Sequence, residues 1–311
     1  MGDATQVLGA MQRRSRFLRR GDMAWLKWLV AAAALLALLF VAVSVVGAMR
    51  WRGLTEQLNA RLEAARRPPT PARFDARELV GLPAPVQRYF RAVLNDGAPI
   101  VAAARVEHAG TFNMGEAADQ WKPFTSHQRV VTRSPGFVWD GKVAMLPGLP
   151  VRVHDAYVSG EGILRPAILG LFTLVDLRGS GAVAQGELMR FFAEAAWYPT
   201  ALLPSQGVRW EAVDEQSARA TLVDGPLSVT MIFRFDSKGL MASGRAEARG
   251  RTVGGKVILT PWEGRWSNYQ MHSGMKVPMT GEVAWLLPRS QGGDKPYWRG
   301  TITALRYEIA L

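Results

Sequence analysis

The chain has 311 residues, 48% hydrophobic and 21% charged, which excludes the low-hydrophobicity, high-charge composition of a disordered protein. Its net charge of +12 is unevenly spread: residues 1–67 hold 11 basic and 4 acidic side chains, whereas residues 68–311 hold 27 and 22, with no Lys/Arg run of the kind that tracks nucleic-acid phosphates. There is no cysteine, which excludes disulfides, thiol nucleophiles and Cys-based metal sites, so the large C-terminal part must fold on its core alone.

Residues 1–22 read as a basic cytoplasmic tail carrying Arg13, Arg14, Arg16, Arg19 and Arg20. The run from Trp25 to Met49 (WLKWLVAAAALLALLFVAVSVVGAM) follows. As a helix it is roughly 37 Å long at 1.5 Å per residue, enough to cross a ~30 Å hydrocarbon core. Trp25, Trp28 and Trp51 suit the two interfaces, and Lys27 can snorkel to the headgroups. The run exceeds the ~7–15 residue core of a signal peptide, which favours an uncleaved transmembrane helix over 23–49. Val46 and Ala48 fit the competing, cleaved reading. The denser arginine cluster precedes the helix, so the N-terminus is expected in the cytoplasm of a plasma (inner) membrane and the main domain outside it. Ile163–Val175 is too short and too polar for a second span.

Residues 50–78 read as a juxtamembrane helix, Leu54–Arg67, and a stiff linker, Pro68-Pro69-Thr70-Pro71. The soluble domain, 79–311, opens with a helix over Leu79–Leu94 that puts Val86, Tyr89, Phe90 and Val93 on one face. Strands are expected over Arg105–Phe112, Gln128–Thr132, Phe137–Met145 and Val151–Val158. After glycines 179, 181 and 186 a helix is expected over Glu187–Tyr198, closed by Pro199. A meander follows: Val208–Val213, Ala218–Val223, Leu227–Phe235 and Leu240–Ala248, divided by Asp/Gly turns. Val257–Tyr269, Gly281–Leu287 and Tyr297–Ile309 complete the strands. The pattern predicts an α+β fold, a strongly curved antiparallel sheet of about eight to eleven strands with the 187–198 helix over its concave face.

The four histidines, 108, 127, 154 and 272, have no metal-ligand spacing, and no H-E-x-x-H, G-x-S-x-G or Walker A motif occurs. No catalytic residue, metal or cofactor is therefore expected. On the predicted helix Glu187, Arg190 and Glu194 share a face, where the arginine can bridge the two carboxylates. The remaining signal is aromatic. Trp139, Phe191, Phe192, Trp197, Tyr198, Trp262 and Trp266 are the candidate lining of an apolar pocket for a membrane lipid or other apolar molecule. Two alternatives stay open. One is a hydrolase-like enzyme using Glu187, Glu194 and His154. The other is a protein-interaction scaffold displaying a sheet edge at the membrane.

The segments LPAPVQRYFRAVL (82–94), PGFVWDG (135–141), VHDAYVSGEG (153–162), GELMRFFAEAAWYPTALLP (186–204) and YWRGTITALRY (297–307) resemble an uncharacterised bacterial membrane-anchored family, a domain of unknown function. That resemblance carries no activity over. The meander and the stretch Tyr269…Gly274-Met275-Lys276-Val277-Pro278 resemble the lipoprotein-localisation-factor (LolA/LolB-like) superfamily. This second resemblance implies a half-open barrel around a few helices that binds acyl chains outside the inner membrane. The predicted topology has a direct test. Alkaline phosphatase fused after Leu311 should be active in a bacterial host and a cytoplasmic reporter there silent; the opposite pattern reverses the orientation.

Overall fold

No proline interrupts the chain before Pro68, and one helix, α1 (Ala4–Ala65), runs from the tail through the apolar segment and on to that break. The computed structural model describes residues 4–115, 118–253 and 256–310; the start of the expected basic tail, residues 1–3, lies outside them. Met1–Arg50 and Trp51–Leu311 are separate compact units. In the first, the helix exposes apolar side chains on every side, among them Leu35, Leu36, Leu38 and Phe40. It belongs to the single helix, among the described residues, that is long and apolar enough to cross a membrane.

The second unit is built on one antiparallel sheet. Its first meander runs β1 (Val101–Asn113), β2 (Trp121–Val131), β3 (Gly136–Leu146), β4 (Leu149–Val158) and β5 (Glu161–Ile168). Two short strands, β6 (Phe172–Thr173) and β7 (Leu177–Gly179), finish its edge by pairing with β5. The second meander runs β8 (Arg209–Ala212), β9 (Ser217–Asp224), β10 (Leu227–Phe235), β11 (Met241–Val253), β12 (Lys256–His272), β13 (Met275–Leu286) and β14 (Asp294–Ile309). The two meanders join where β1 pairs with β14, giving the order β6-β5-β4-β3-β2-β1-β14-β13-β12-β11-β10-β9-β8.

This order leaves the two meanders ending at opposite edges. The chain crosses between those edges through α3 (Ala182–Glu194), a 3-10 turn over Ala195–Trp197 and a second over Pro199–Leu202. Helix α3 packs on β3, β4, β5 and β7 from one meander and on β10 and β11 from the other. A sheet that touches one helix with both halves must wrap around it, so α3 marks the concave face. Helix α2 (Ala84–Val93) adds to the same core, with Tyr89 against Phe235 at 5.5 Å and Phe90 edge-on to Trp210 at 6.3 Å.

The expected α+β half-barrel is present, but its sheet is larger, with fourteen strands among the described residues. Strand β5 was missed because Pro166 interrupts it. That proline falls between the residues that pair with β7 (162–164) and those that pair with β6 (167–168), so its missing N–H costs no ladder bond. The central helix starts five residues earlier than expected, since Gly186 hides the pattern, and its last turn narrows to 3-10 from Ala195.

Residues 51–65, expected as a connector, pack on the outer face of the sheet. Leu58 and Leu62 are buried against Ala103, Val131, Val138, Ala156, Val158 and Ile163, the side chains that alternation turns away from α3. Trp51 stacks on His154 at 3.8 Å and donates its indole N–H to Asp140 at 2.8 Å. Thr55 Oγ1 and His154 Nε2 share a hydrogen bond of 2.7 Å. Burial, reinforced by Arg165, Arg152 and Arg178, pushes His154 down to about 3, so its ring is neutral at pH 7. This packing sets an expectation: Leu62→Ala should destabilise the Trp51–Leu311 unit by about 2–5 kcal/mol, while the exposed Arg52→Ala should stay within about 0.5 kcal/mol. Equal denaturation midpoints for the two variants would show that this helix does not belong to the folded unit.

Candidate ligand-binding cleft

The strands under α3 carry a local pattern, Trp-x-Gly, at 139–141, 262–264 and 298–300. Residues two apart on a strand share a face, so each indole can lie along its own strand where the glycine leaves no side chain. A Cβ on Gly141 would stand 2.0 Å from the Trp139 ring, and one on Gly300 2.4 Å from the Trp298 ring. A Cβ on Gly264 would meet both Trp262 and Trp266, at 3.8 and 3.4 Å. The glycines make a floor, and the indoles lie on it.

Above this floor, between α3 and β12, β13 and β14, is a cleft of about 100 Å³. Trp139, Trp197, Trp262, Trp266, Trp298, Phe112 and Val283 form its apolar walls. Asp155, Arg190, Glu194, Arg249 and Tyr297 supply polar groups. Alternation turns the side chains of Glu263, Arg265 and Glu282 to the other face of β12 and β13, away from Trp262 and Trp266, where Arg265 reaches Glu263 at 2.5 Å, Glu282 at 3.3 Å and Asp294 at 2.6 Å.

The inner end is a buried charge cluster. Arg190 donates to Asp155 at 2.5 Å and to Glu194 at 2.7 Å, and its guanidinium lies over Phe137 and Trp139. Glu194 also accepts from Gln128 at 2.6 Å. Glu187 Oε1 is 3.7 Å from Arg249, which in turn lies 4.8 Å over the Trp262 ring. Glu187 Oε2 and Asp155 Oδ1 are buried with no donor. Burial and then the negative charge of Asp155 hold the Glu187 carboxyl well above the usual range, against the opposing pull of Arg249 and Arg190. A proton on Glu187 donated to Asp155 gives both orphaned oxygens a partner and leaves two carboxylates, Asp155 and Glu194, facing two arginines.

Of the expected pocket residues, Trp139, Trp197, Trp262 and Trp266 line the cleft, and Phe191, Phe192 and Tyr198 do not. Phe192 packs edge-on to Phe233 at 5.5 Å, and Phe191 lies against Tyr198, whose hydroxyl donates to the Phe191 carbonyl at 3.2 Å. The helix stripe that meets the cleft is Arg190, Ala193, Glu194 and Trp197. The apolar stripe is committed to solid core. The hydrolase-like alternative does not assemble: Glu187 and Glu194 are on the concave side, while His154 lies on the outer face under Trp51. Sequence reasoning did not select Trp298, Asp155 or Arg249. The repeated Trp-x-Gly could have singled out Trp298, but nothing local marks Asp155 or Arg249.

A curved antiparallel sheet wrapped around a crossover helix, with an aromatic cleft beside that helix, defines the architectural class. Residues 80–307 match the family of unknown function DUF6920, and the chain belongs to that family. No curated protein matches it in sequence. Among solved structures it is similar to a LolA superfamily protein from Nitrosomonas europaea, with 8% identity, 72% of this chain and 92% of that chain covered, and a TM-score of 0.37. It is also similar to a beta-barrel-like protein of the domain of unknown function DUF1849 from Brucella abortus, with 8% identity, coverage of 67% and 99%, and a TM-score of 0.22.

The shared proton predicts a pH signature. A carboxyl whose folded pKa is raised contributes stability that is fully present below its unfolded pKa and is lost as pH rises toward the folded value. Glu187→Gln should therefore gain stability relative to the natural chain between pH 5 and pH 8, by up to about 1.4 kcal/mol per pH unit. Urea denaturation of both proteins across that range checks it; a constant difference would mean that Glu187 is ionised in the fold.

Proposed function

We propose that the chain is a membrane-anchored protein whose main domain, outside the cytoplasm, binds a lipid or other long apolar molecule in the cleft beside α3. The observation that carries this reading is the indole wall of Trp139, Trp197, Trp262, Trp266 and Trp298. Filling a core does not require five tryptophans gathered around one space. Each offers a large rigid apolar face at small conformational cost.

The closed cleft is smaller than the ~150 Å³ apolar cavity that accepts benzene. A long molecule therefore enters only if α3 and the strands beside it part, and does not occupy a ready-made void.

The test uses residues 51–311, the compact unit, secreted and purified without detergent. Organic extraction and mass spectrometry should find a stoichiometric lipid. Val283→Trp, which fills the cleft without burying a charge, should remove that lipid and shift the melting temperature by only a few degrees. A natural protein that yields no lipid and leaves a fluorescent fatty acid unbound would end this reading.

A further inference from the structure

Between Trp51 and the β3–β4 turn, the outer face of the first meander is basic. Lys142 stands directly opposite Arg152 in the register of β3 and β4, Arg165 opposite His154, and Arg178 opposite Ile163. Alternation puts all four on the face that carries Val138, Ala156 and Ile163. Like charges directly across a ladder are unfavourable. Arg165 and Arg178 share Asp176, at 3.9 and 2.7 Å. Among the described residues Lys142 and Arg152 make no ion pair; Asp140, on the same face, feels the charge of Arg152, but its carboxylate oxygens accept from Trp51 and Thr55.

Past this patch the turns end in exposed apolar side chains, with Leu146 63%, Phe172 61% and Leu174 54% accessible. Strand β4 starts three residues after Leu146, and β6 starts at Phe172, so these residues lie together at one corner of the sheet. Helix 51–65 runs away from that corner. It begins with Trp51 beside Asp140 and His154 and reaches Gly136 with Leu62. Within this unit the helix therefore begins toward the side on which the turns lie, and in sequence Trp51 follows the end of the apolar run, Met49, by two residues. From Asp140 to Leu146 is six strand residues, ~20 Å.

We propose that this corner docks on the bilayer that holds the anchor, with Leu146, Phe172 and Leu174 entering the interface and Lys142 and Arg152 taking the phosphates of anionic lipids. An apolar tip beneath a basic belt is the pattern that an anionic interface recognises. The inference rests on Trp25–Met49 crossing that bilayer.

The chain has no cysteine, so probes can be placed one at a time. Leu146→Cys, Phe172→Cys and, as control, Lys238→Cys in the β10–β11 turn would each carry bimane on the full chain. Each is reconstituted in phosphatidylglycerol/phosphatidylethanolamine vesicles containing spin-labelled lipid. Quenching at 146 and 172 should exceed that at 238 at least threefold. It should fall to the control level in K142E/R152E, and in vesicles of phosphatidylcholine alone. Equal quenching at all three sites, in a chain that floats with the vesicles, overturns the docking and leaves the anchor standing. Labels at 146 and 172 shielded from both spin-labelled lipid and aqueous iodide overturn it in favour of a protein partner. A chain that does not float overturns the anchor, and the docking with it.

Discussion

The pairing of the first strand with the last governs the rest of the domain. Because β1 and β14 meet in the middle of the sheet, each meander grows outward and the chain must travel from one free edge to the other. The shortest covered route lies beneath the sheet, and α3 takes it. A helix on that route needs an apolar stripe for the core and something to meet the two strand sets it passes. Leu188, Phe191 and Phe192 supply the first. Arg190 supplies the second on the β4 side, held between Asp155 and Glu194. The cleft is the space left where the helix departs from the far half of the sheet.

A buried arginine of this kind is weak evidence for stability, because desolvation offsets most of its attraction to its partners. Its effect is positional. Arg190 can satisfy Asp155 and Glu194 together in only one rotation of α3, and that rotation presents Ala193 and Trp197 to the cleft. The floor glycines act in the same sense. With any side chain at 141 or 300 the indoles would have to stand away from the strand and fill the space beside α3. Aromatic bulk and an open cleft coexist only because those positions are bare.

Much of this was legible in the amino-acid order. Alternation in Val151–Val158 and the Asp/Gly turns of the second meander marked their strands, and the run from Trp25 to Met49 marked the strongly apolar helix. The failures have physical causes. Pro166 looks like a strand breaker unless its neighbours on the sheet edge are known. Helix 51–65 has only a thin apolar stripe, Trp51, Leu58 and Leu62, and nothing local says that the back of a sheet waits for it. The charge cluster joins residues from β4, α3 and β11, which no periodicity connects. Tryptophans were singled out as a class, but which ones meet depended on the β1–β14 junction.

That junction also has a consequence in time. Val101 pairs with Ile309, so the central ladder joins residues about 200 positions apart. During synthesis β1 to β5 can form their own hairpins early, yet the free side of β1 has no partner until β14 has been made. Until then Val101–Asn113 presents a thirteen-residue unpaired edge, open to any other strand nearby. Maturation of this protein is therefore a race between its own last strand and its neighbours, and a chain shortened by one strand at the C-terminus would lose that race altogether.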